Sequence, residues 1–163
     1  MTLPSILVTD TNIWIDLQNG GILEDFFRLP YQFITPDFAI GELLSPDWNL
    51  LQTLGLKTLE LKSERISELI QLRKTHHNLS VVDLAAFLLA KTFGVQLLTG
   101  DRNLNELARS QGLSVHGVLW VLDEMVLHQI LASSRASGAL QKMLDNGARL
   151  PRVECQKRFD QWS

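Results

Sequence analysis

Two aspartates stand where apolar stretches end, and they are the residues of this chain best placed to do chemistry. Asp10 follows "SILVT" at residues 5–9, and Asp101 follows "VQLLT" at residues 95–99 after a single glycine. Both stretches have the length and composition of buried strands. Ligands of a parallel sheet bind beyond the carboxyl ends of its strands, so we expect both carboxylates at one edge. A carboxylate at the end of a buried strand is costly unless it is hydrogen-bonded, paired or metal-bound.

Two further acids could reach the same edge from helices. Glu42 lies about two turns into a helix that is expected to begin at Pro36, and Asp83 lies in the first turn of a helix after Ser80. Placement alone does not require either carboxylate to face the edge. Asp83 could serve only in a capping box with Ser80, Asp101 could be an ordinary turn or N-cap residue, and Glu42 could be a solvated surface acid.

A divalent cation would allow these carboxylates to lie together. Carboxylates that converge without a cation repel each other, and the pKa of at least one of them rises. The chain offers few zinc ligands, because Cys155 is its only cysteine, His76 and His77 are adjacent, and His116 and His128 stand alone. An all-oxygen set of ligands favours Mg²⁺ or Mn²⁺ instead. Such an ion activates water and stabilises the charge of a phosphate ester during hydrolysis.

The apolar stretches recur along the chain and alternate with stretches of helical period. This alternation predicts an α/β protein with a central parallel sheet and helices on both faces, which is a three-layer α/β/α sandwich. Residues 63–93 should form two helices that break near "HHNLS". The expected strands are residues 5–9, 31–35, 56–61, 95–99 and 113–117.

Capping residues mark several helix ends. Thr35 followed by Pro36 matches an N-cap and a first helical position. Ser80 and Asp83 have the spacing of a capping box, and Gly94 stands where the helix after Ser80 should end.

Strands cease after about residue 117, and the remainder of the chain predicts a C-terminal helical extension. The helical stretches are "VLWVLDEMVLHQIL", "SGALQKML" and "PRVECQKRFDQW". About 45 residues in three short helices would not bury a core alone. We therefore expect a single domain over residues 1–163, with a core at about 5–120 and the extension at about 118–163.

Charge and hydropathy restrict the class of function. The net charge of −3 argues against a protein that coats nucleic acid by bulk electrostatics, but it allows an acidic pocket that a metal neutralises. No stretch approaches the ~20 apolar residues of a transmembrane helix. The first residues, "MTLPS", lack the basic residues of a secretion signal. We therefore expect a cytoplasmic protein with no membrane partner.

Four stretches carry a family resemblance: "VTDTNIWID", "PDFAIGELL", "LSVVDLAAFLLAKTFG" and "LLTGDRNLNELARSQGLSVHGVL". Together, and in this order, they resemble the PIN-domain ribonucleases, which include the VapC-type toxins of bacterial toxin–antitoxin pairs. The resemblance covers roughly residues 5–120. The tail is similar to a subgroup of uncharacterised bacterial PIN-like proteins in which "GVLGVL" opens a helical extension, although Trp120 replaces the expected glycine here.

The resemblance implies a ribonuclease that uses Mg²⁺ or Mn²⁺ and takes RNA as its substrate. Asn12 falls at the small polar position beside the first aspartate, where it would hold a water molecule or a phosphate oxygen. Thr99 takes the place of the Thr or Ser that often precedes the last acid. Asp16, inside the first helix, suits a structural role better than a ligand role. The implied metal ligands, which are also the catalytic residues, are Asp10, Glu42, Asp83 and Asp101.

Other functions on the same fold class match less well. A haloacid-dehalogenase-type phosphatase needs an aspartate two residues after Asp10 and another acid late in the chain, where Asn12 and Asn105 stand. A phospho-receiver domain needs a lysine after a late strand, which "SVHG" lacks. A PIN fold that binds RNA or protein without cutting it stays open. Cations are few near the acids, and Arg102 is the clearest candidate for a phosphate contact.

Three apolar stretches bear on protein partners. "GGILEDFF", "LLSPDWNLL" and "VLWVLDEMVL" carry enough apolar residues for a homodimer surface or for a groove that binds an antitoxin helix. We expect a homodimer, but the sequence does not choose between these uses. Four tryptophans are expected in a core or interface rather than as platforms for bases: Trp14, Trp48, Trp120 and Trp162.

Overall fold

A computed structural model describes residues 5–37 and 46–163, and a parallel sheet lies at the centre of this part of the chain. Its strands are β1 (Ser5–Thr9), β2 (Tyr31–Pro36), β3 (Lys57–Leu59), β4 (Gln96–Leu98) and β5 (Val115–His116). They lie in the order β3-β2-β1-β4-β5. The five expected strands are confirmed, although β3, β4 and β5 are shorter than predicted.

Consecutive residues of β1 face opposite sides of the sheet, and both sides are covered. Leu7 packs into a first apolar core with Phe33 and Leu98. Val8 packs into a second apolar core with Ile34. A parallel strand that is covered on both faces needs apolar side chains at consecutive positions, which explains the run in β1. The expected three-layer α/β/α sandwich is confirmed.

Helices form the two outer layers. Over the first core lie α1 (Thr11–Asn19), α2 (Leu23–Phe26), α3 (Trp48–Leu54), α7 (Val118–Leu127), α8 (Ser133–Asp145) and α9 (Arg152–Trp162). Over the second core lie α4 (Ser63–Thr75), α5 (Val81–Phe93) and α6 (Arg102–Ser110).

The long helical stretch after β3 divides where its capping residues predict. The Asp83 amide donates to Ser80 Oγ, and the Ser80 amide donates to Asp83 Oδ2, each at 3.0 Å. This reciprocal capping box begins α5. Gly94 ends the helix in the left-handed conformation at φ 63°, which glycine adopts without a steric penalty.

Pro36 is not the first residue of a helix, as was predicted, and residues 38–45 of the predicted helix lie outside the described residues. Pro36 is the last residue of β2 and pairs with Leu59 of β3. The Thr35 hydroxyl donates to the Thr9 carbonyl at 3.1 Å, which ties β2 to the end of β1. A proline is tolerated at this end of β2 because the pairing of β1 with β2 has already ended two residues earlier.

The C-terminal helices α8 and α9 pack into the first core. Met143 of α8 and Trp162 of α9 are both buried there. Gly20, at the end of α1, allows α8 to approach closely, since a Cβ at this position would lie 2.7 Å from Met143 Cε. Arg135 of α8 also forms an ion pair with Asp25 of α2 at 2.6 Å. The extension is thus fixed to the first helices of the chain.

Among the described residues of the three stretches considered for partners, most apolar side chains are buried within the chain itself. Ile22, Phe26 and Leu51 are fully buried, whereas Leu127 is 74% exposed. Of the four tryptophans, Trp14, Trp48 and Trp162 lie in the first core, and Trp120 packs against it while partly exposed. The homodimer and the antitoxin groove stay predictions.

Within the ranges 5–37 and 46–163, no helix is long and apolar enough to cross a membrane.

Candidate active site

Buried polar side chains gather at the carboxyl edge of the sheet. Such side chains are costly in a core unless they are hydrogen-bonded. Their concentration at one edge therefore indicates a candidate functional site. In the described part of the chain, the buried polar residues are Thr9, Asp10, Thr11, Thr35 and Thr99.

Asp10 lies at the centre of this edge, directly after β1. Its amide donates to the Leu98 carbonyl at 2.9 Å, which extends the pairing of β1 with β4. The carboxylate caps α1, because Oδ1 accepts a hydrogen bond from the Thr11 amide at 2.7 Å. Only 1% of the residue's surface is exposed. The strand and the helix together therefore fix one buried carboxylate at the sheet edge.

Thr99 links Asp10 to Asp101. Its hydroxyl donates to Asp10 Oδ2 at 2.8 Å and accepts from the Asp101 amide at 3.0 Å. Asp101 in turn caps α6, where its Oδ1 accepts from the Leu104 amide at 2.9 Å. The capping role that the sequence allowed for Asp101 is confirmed. Capping occupies one carboxylate oxygen and leaves the other available for a ligand.

Asp83 caps α5, and its negative charge also repels that of Asp10. Burial of Asp10, followed by repulsion from the negative charge of Asp83, raises the pKa of Asp10 from 3.8 to about 7. Hydrogen bonds from Thr99 and Thr11 oppose this rise, and repulsion from Asp101 adds to it. Without a cation, Asp10 is therefore about half protonated near pH 7. Burial is thus the first cause of the raised pKa of Asp10, and the neighbouring acids add to it.

Nothing in the described part of the chain neutralises these acids. The ion pairs there do not include Asp10, Asp83 or Asp101, and Arg102 pairs with Glu106 at 3.1 Å. Within residues 5–37 and 46–163, no three His, Cys, Asp or Glu side chains form a cage for a metal ion. Glu42, the fourth predicted ligand, lies outside the described residues.

These observations fit a hard divalent cation held by few protein ligands. Mg²⁺ is usually bound through one or two carboxylates, with waters and substrate phosphates completing its octahedron, so a complete protein cage is not required. The described side chains that act on Asp10, which are those of Thr99, Asp83 and Asp101, offer oxygen atoms as ligands, unlike the sulfur and nitrogen ligands of a structural zinc site. The buried negative charge supplies the electrostatic reason for a cation.

A cleft of about 600 Å³ opens beside Thr99 and Asp101. Asn12 and Asp16 line it one helical turn apart on α1, and Asn12 is exposed. Arg102 also lies on its wall, with 90% of its side chain exposed. The cleft thus brings together the predicted positioning residues with one of the predicted ligands.

Comparison with known proteins decides the family. The profile of a protein family described as a PIN domain matches residues 6–163, which is nearly the whole chain. The chain belongs to the PIN-domain family. No curated protein and no solved structure shows significant similarity to it. The match extends through α7, α8 and α9, so the C-terminal helices belong to the matched region of this PIN domain.

PIN domains have a nuclease-type fold and typically use divalent metals. The fold therefore agrees with the chemistry that the buried acids favour. The matched profile names no catalytic residue of this chain, so the ligand set Asp10, Glu42, Asp83 and Asp101 stays a prediction.

Two residues line the cleft although the sequence did not assign them to the site: Asp16 and Arg149. Asp16 lies on the same helix face as Asn12, and burial raises the pKa of its carboxyl above the usual range. The i, i+4 spacing of Asn12 and Asp16 is the sequence pattern that could have placed both residues on one helix face. Arg149 lines the cleft from the loop between α8 and α9. No local pattern in the sequence could place that loop beside Asp101.

The two roles of Asp83 can be separated by substitution. Asp83→Asn keeps an oxygen that can accept from the Ser80 amide, whereas Asp83→Ala removes it. We expect the alanine variant to lose about 1 kcal/mol of unfolding free energy and the asparagine variant to lose little. Urea unfolding in chelator at pH 8 measures both. Equal losses in the two variants would contradict the capping role.

Proposed function

We propose that this PIN domain is a metal-dependent endoribonuclease that hydrolyses RNA phosphodiester bonds. The observation that carries the proposal is the Asp10 carboxylate, which is buried at the sheet edge beside Asp83 and Asp101 without a cationic partner among the described residues. A protein that only needed stability would gain by replacing such a carboxylate with a neutral side chain. Its burial among other acids is explained if a divalent cation binds there.

The residues that would hold the cation are the predicted quartet. Asp10 and Asp101 offer oxygens from the ends of β1 and β4, and Asp83 offers one from the start of α5. By family resemblance, Glu42 is the fourth ligand. When bound, Mg²⁺ or Mn²⁺ supplies activation of water and neutralisation of the charge that develops on the phosphodiester. Water adds to phosphorus, one P–O bond breaks, and the products are a phosphate monoester and a hydroxyl.

The neighbouring polar residues orient the acids and the substrate. The Thr99 hydroxyl fixes the Asp10 carboxylate by the 2.8 Å hydrogen bond and lowers its pKa, which favours the ionised form that a cation needs. Asn12 is exposed on the cleft wall and can donate its amide to a phosphate oxygen. Arg102 is exposed at the same cleft, where its guanidinium can leave Glu106 for a phosphate.

Metal removal tests the proposal. We expect labelled single-stranded or structured RNA to be cleaved in Mn²⁺ or Mg²⁺, to be left intact in chelator, and to be cleaved again when excess metal is restored. Asp101→Asn, which keeps a good N-cap residue, should reduce the rate at least about tenfold by weakening the metal site. Asp160→Asn, on the exposed surface of α9, is the matched control.

Two results would count against this function. Cleavage that persists in chelator would remove the metal from the mechanism. If no RNA is cleaved in any metal, the alternative is favoured, in which the fold binds RNA or protein without cutting. The toxin role, the antitoxin partner and the homodimer stay predictions.

A further inference from the structure

The C-terminal extension supplies one wall of the cleft beside the acids. Arg149, Leu150 and Pro151, which join α8 to α9, line the same 600 Å³ space as Asn12 and Asp101. The cleft therefore lies between the sheet edge and the tail. A substrate bound in this cleft would lie beside the loop that carries Arg149.

The loop that carries Arg149 is held firmly on both sides. On the α8 side, Met143 is fully buried, and on the α9 side Cys155 is buried in the same core. The Arg158 guanidinium of α9 donates two hydrogen bonds to the Asp123 carboxylate of α7, from Nη2 to Oδ2 at 2.6 Å and from Nε to Oδ1 at 2.9 Å. A guanidinium that is presented from such a fixed loop loses less entropy on binding than one on a mobile tail.

Two described residues that line the cleft are cationic, and Arg149 is the one that need not leave an ion pair to bind a ligand. Arg102 already pairs with Glu106. Arg149 is exposed, and within the described residues its side chain takes part in no hydrogen bond or ion pair. The acids that line the cleft would repel a polyanion, and a guanidinium on the same cleft wall counteracts that repulsion.

We propose that Arg149 binds a backbone phosphate of single-stranded RNA next to the phosphate that is hydrolysed. The inference rests on the proposed function, because it assumes that RNA enters this cleft. A guanidinium matches two phosphate oxygens with two parallel N–H donors. Proteins that recognise RNA sequence mostly bind single-stranded regions, because their bases can be splayed out into a site. The extension would thus serve as a positioning element for the strand.

The test compares Arg149→Gln with Arg152→Gln. Arg152 is an exposed arginine that begins α9 and lines a different cavity, so it controls for loss of one positive charge near the cleft. For cleavage of a labelled single-stranded oligoribonucleotide in Mn²⁺, Arg149→Gln should raise KM roughly fivefold with kcat nearly unchanged. Hydrolysis of bis(p-nitrophenyl) phosphate, which has no neighbouring phosphate, should not change. Arg152→Gln should resemble the unaltered protein in both assays.

Binding provides a readout that does not depend on cleavage. Fluorescence anisotropy with the same oligoribonucleotide, in an Asp10→Asn background, should show roughly fivefold weaker binding for Arg149→Gln. The slope of log affinity against log salt should fall by about 0.7, which corresponds to one lost phosphate contact on a single strand. Equal effects of the two arginine variants, or an unchanged salt slope, would overturn the assignment. If the unaltered protein cleaves nothing while the anisotropy difference persists, the nuclease proposal fails and Arg149 as a phosphate-binding residue stands.

Discussion

Metal-free protein is expected to lose about 3 kcal/mol of unfolding free energy between pH 5 and pH 8 because of Asp10 alone. The pKa of Asp10 is about 7 in the folded chain and near 3.8 when unfolded. A group whose folded pKa is raised stabilises the fold fully at low pH and loses that stabilisation as pH rises through the folded value. At about 1.4 kcal/mol per pH unit, the two units from pH 5 to pH 7 give the expected loss.

Urea unfolding in chelator at both pH values measures this loss, with Asp10→Asn as the reference. The asparagine does not titrate, so the difference between the two proteins should grow by about 3 kcal/mol toward pH 8 in favour of the variant. Both proteins also contain Asp16, whose pKa is raised by burial, and His116, whose pKa is lowered by burial. The contributions of these two groups therefore cancel in the difference. A difference that is constant with pH would contradict a raised pKa at Asp10.

Asp10→Asn is also expected to reduce metal-dependent RNA cleavage at least about 100-fold, since a metal ligand carries several kcal/mol of the charge stabilisation. The fold should survive, because the asparagine oxygen can still accept from the Thr11 amide and its NH₂ group can donate to Thr99. Initial rates with a labelled oligoribonucleotide measure the effect. Circular dichroism should show an unchanged fold, and Asp160→Asn should cleave at the normal rate.

The sheet and its carboxyl edge could be predicted because both follow from local patterns. Buried strands need apolar residues on both faces, so β1 and β4 were visible as apolar runs. Asp10 and Asp101 then followed from the rule that ligands bind beyond strand ends. The structure places both residues there, joined through Thr99.

Other features depend on tertiary context and could not be predicted locally. Pro36 has the pattern of a helix start, but pairing with Leu59 keeps it in β2. Asp83 could be assigned to a capping box from spacing alone, whereas its proximity to Asp10 depends on where α5 packs on the sheet. Arg149 has no signal of its own, because its position depends on how α8 and α9 fold back on the first core.

Activation of cleavage by Mn²⁺ tests the acidic cluster as a metal-dependent active site most directly. The rate of oligoribonucleotide cleavage is measured from chelator to millimolar Mn²⁺ at pH 8 for the unaltered protein and for Asp10→Asn. We expect saturable activation of the unaltered protein from a rate of zero, and a curve for the variant that lies at least about 100-fold lower throughout. Superimposable curves for the two proteins, or a rate that does not respond to Mn²⁺, would contradict a metal site at Asp10.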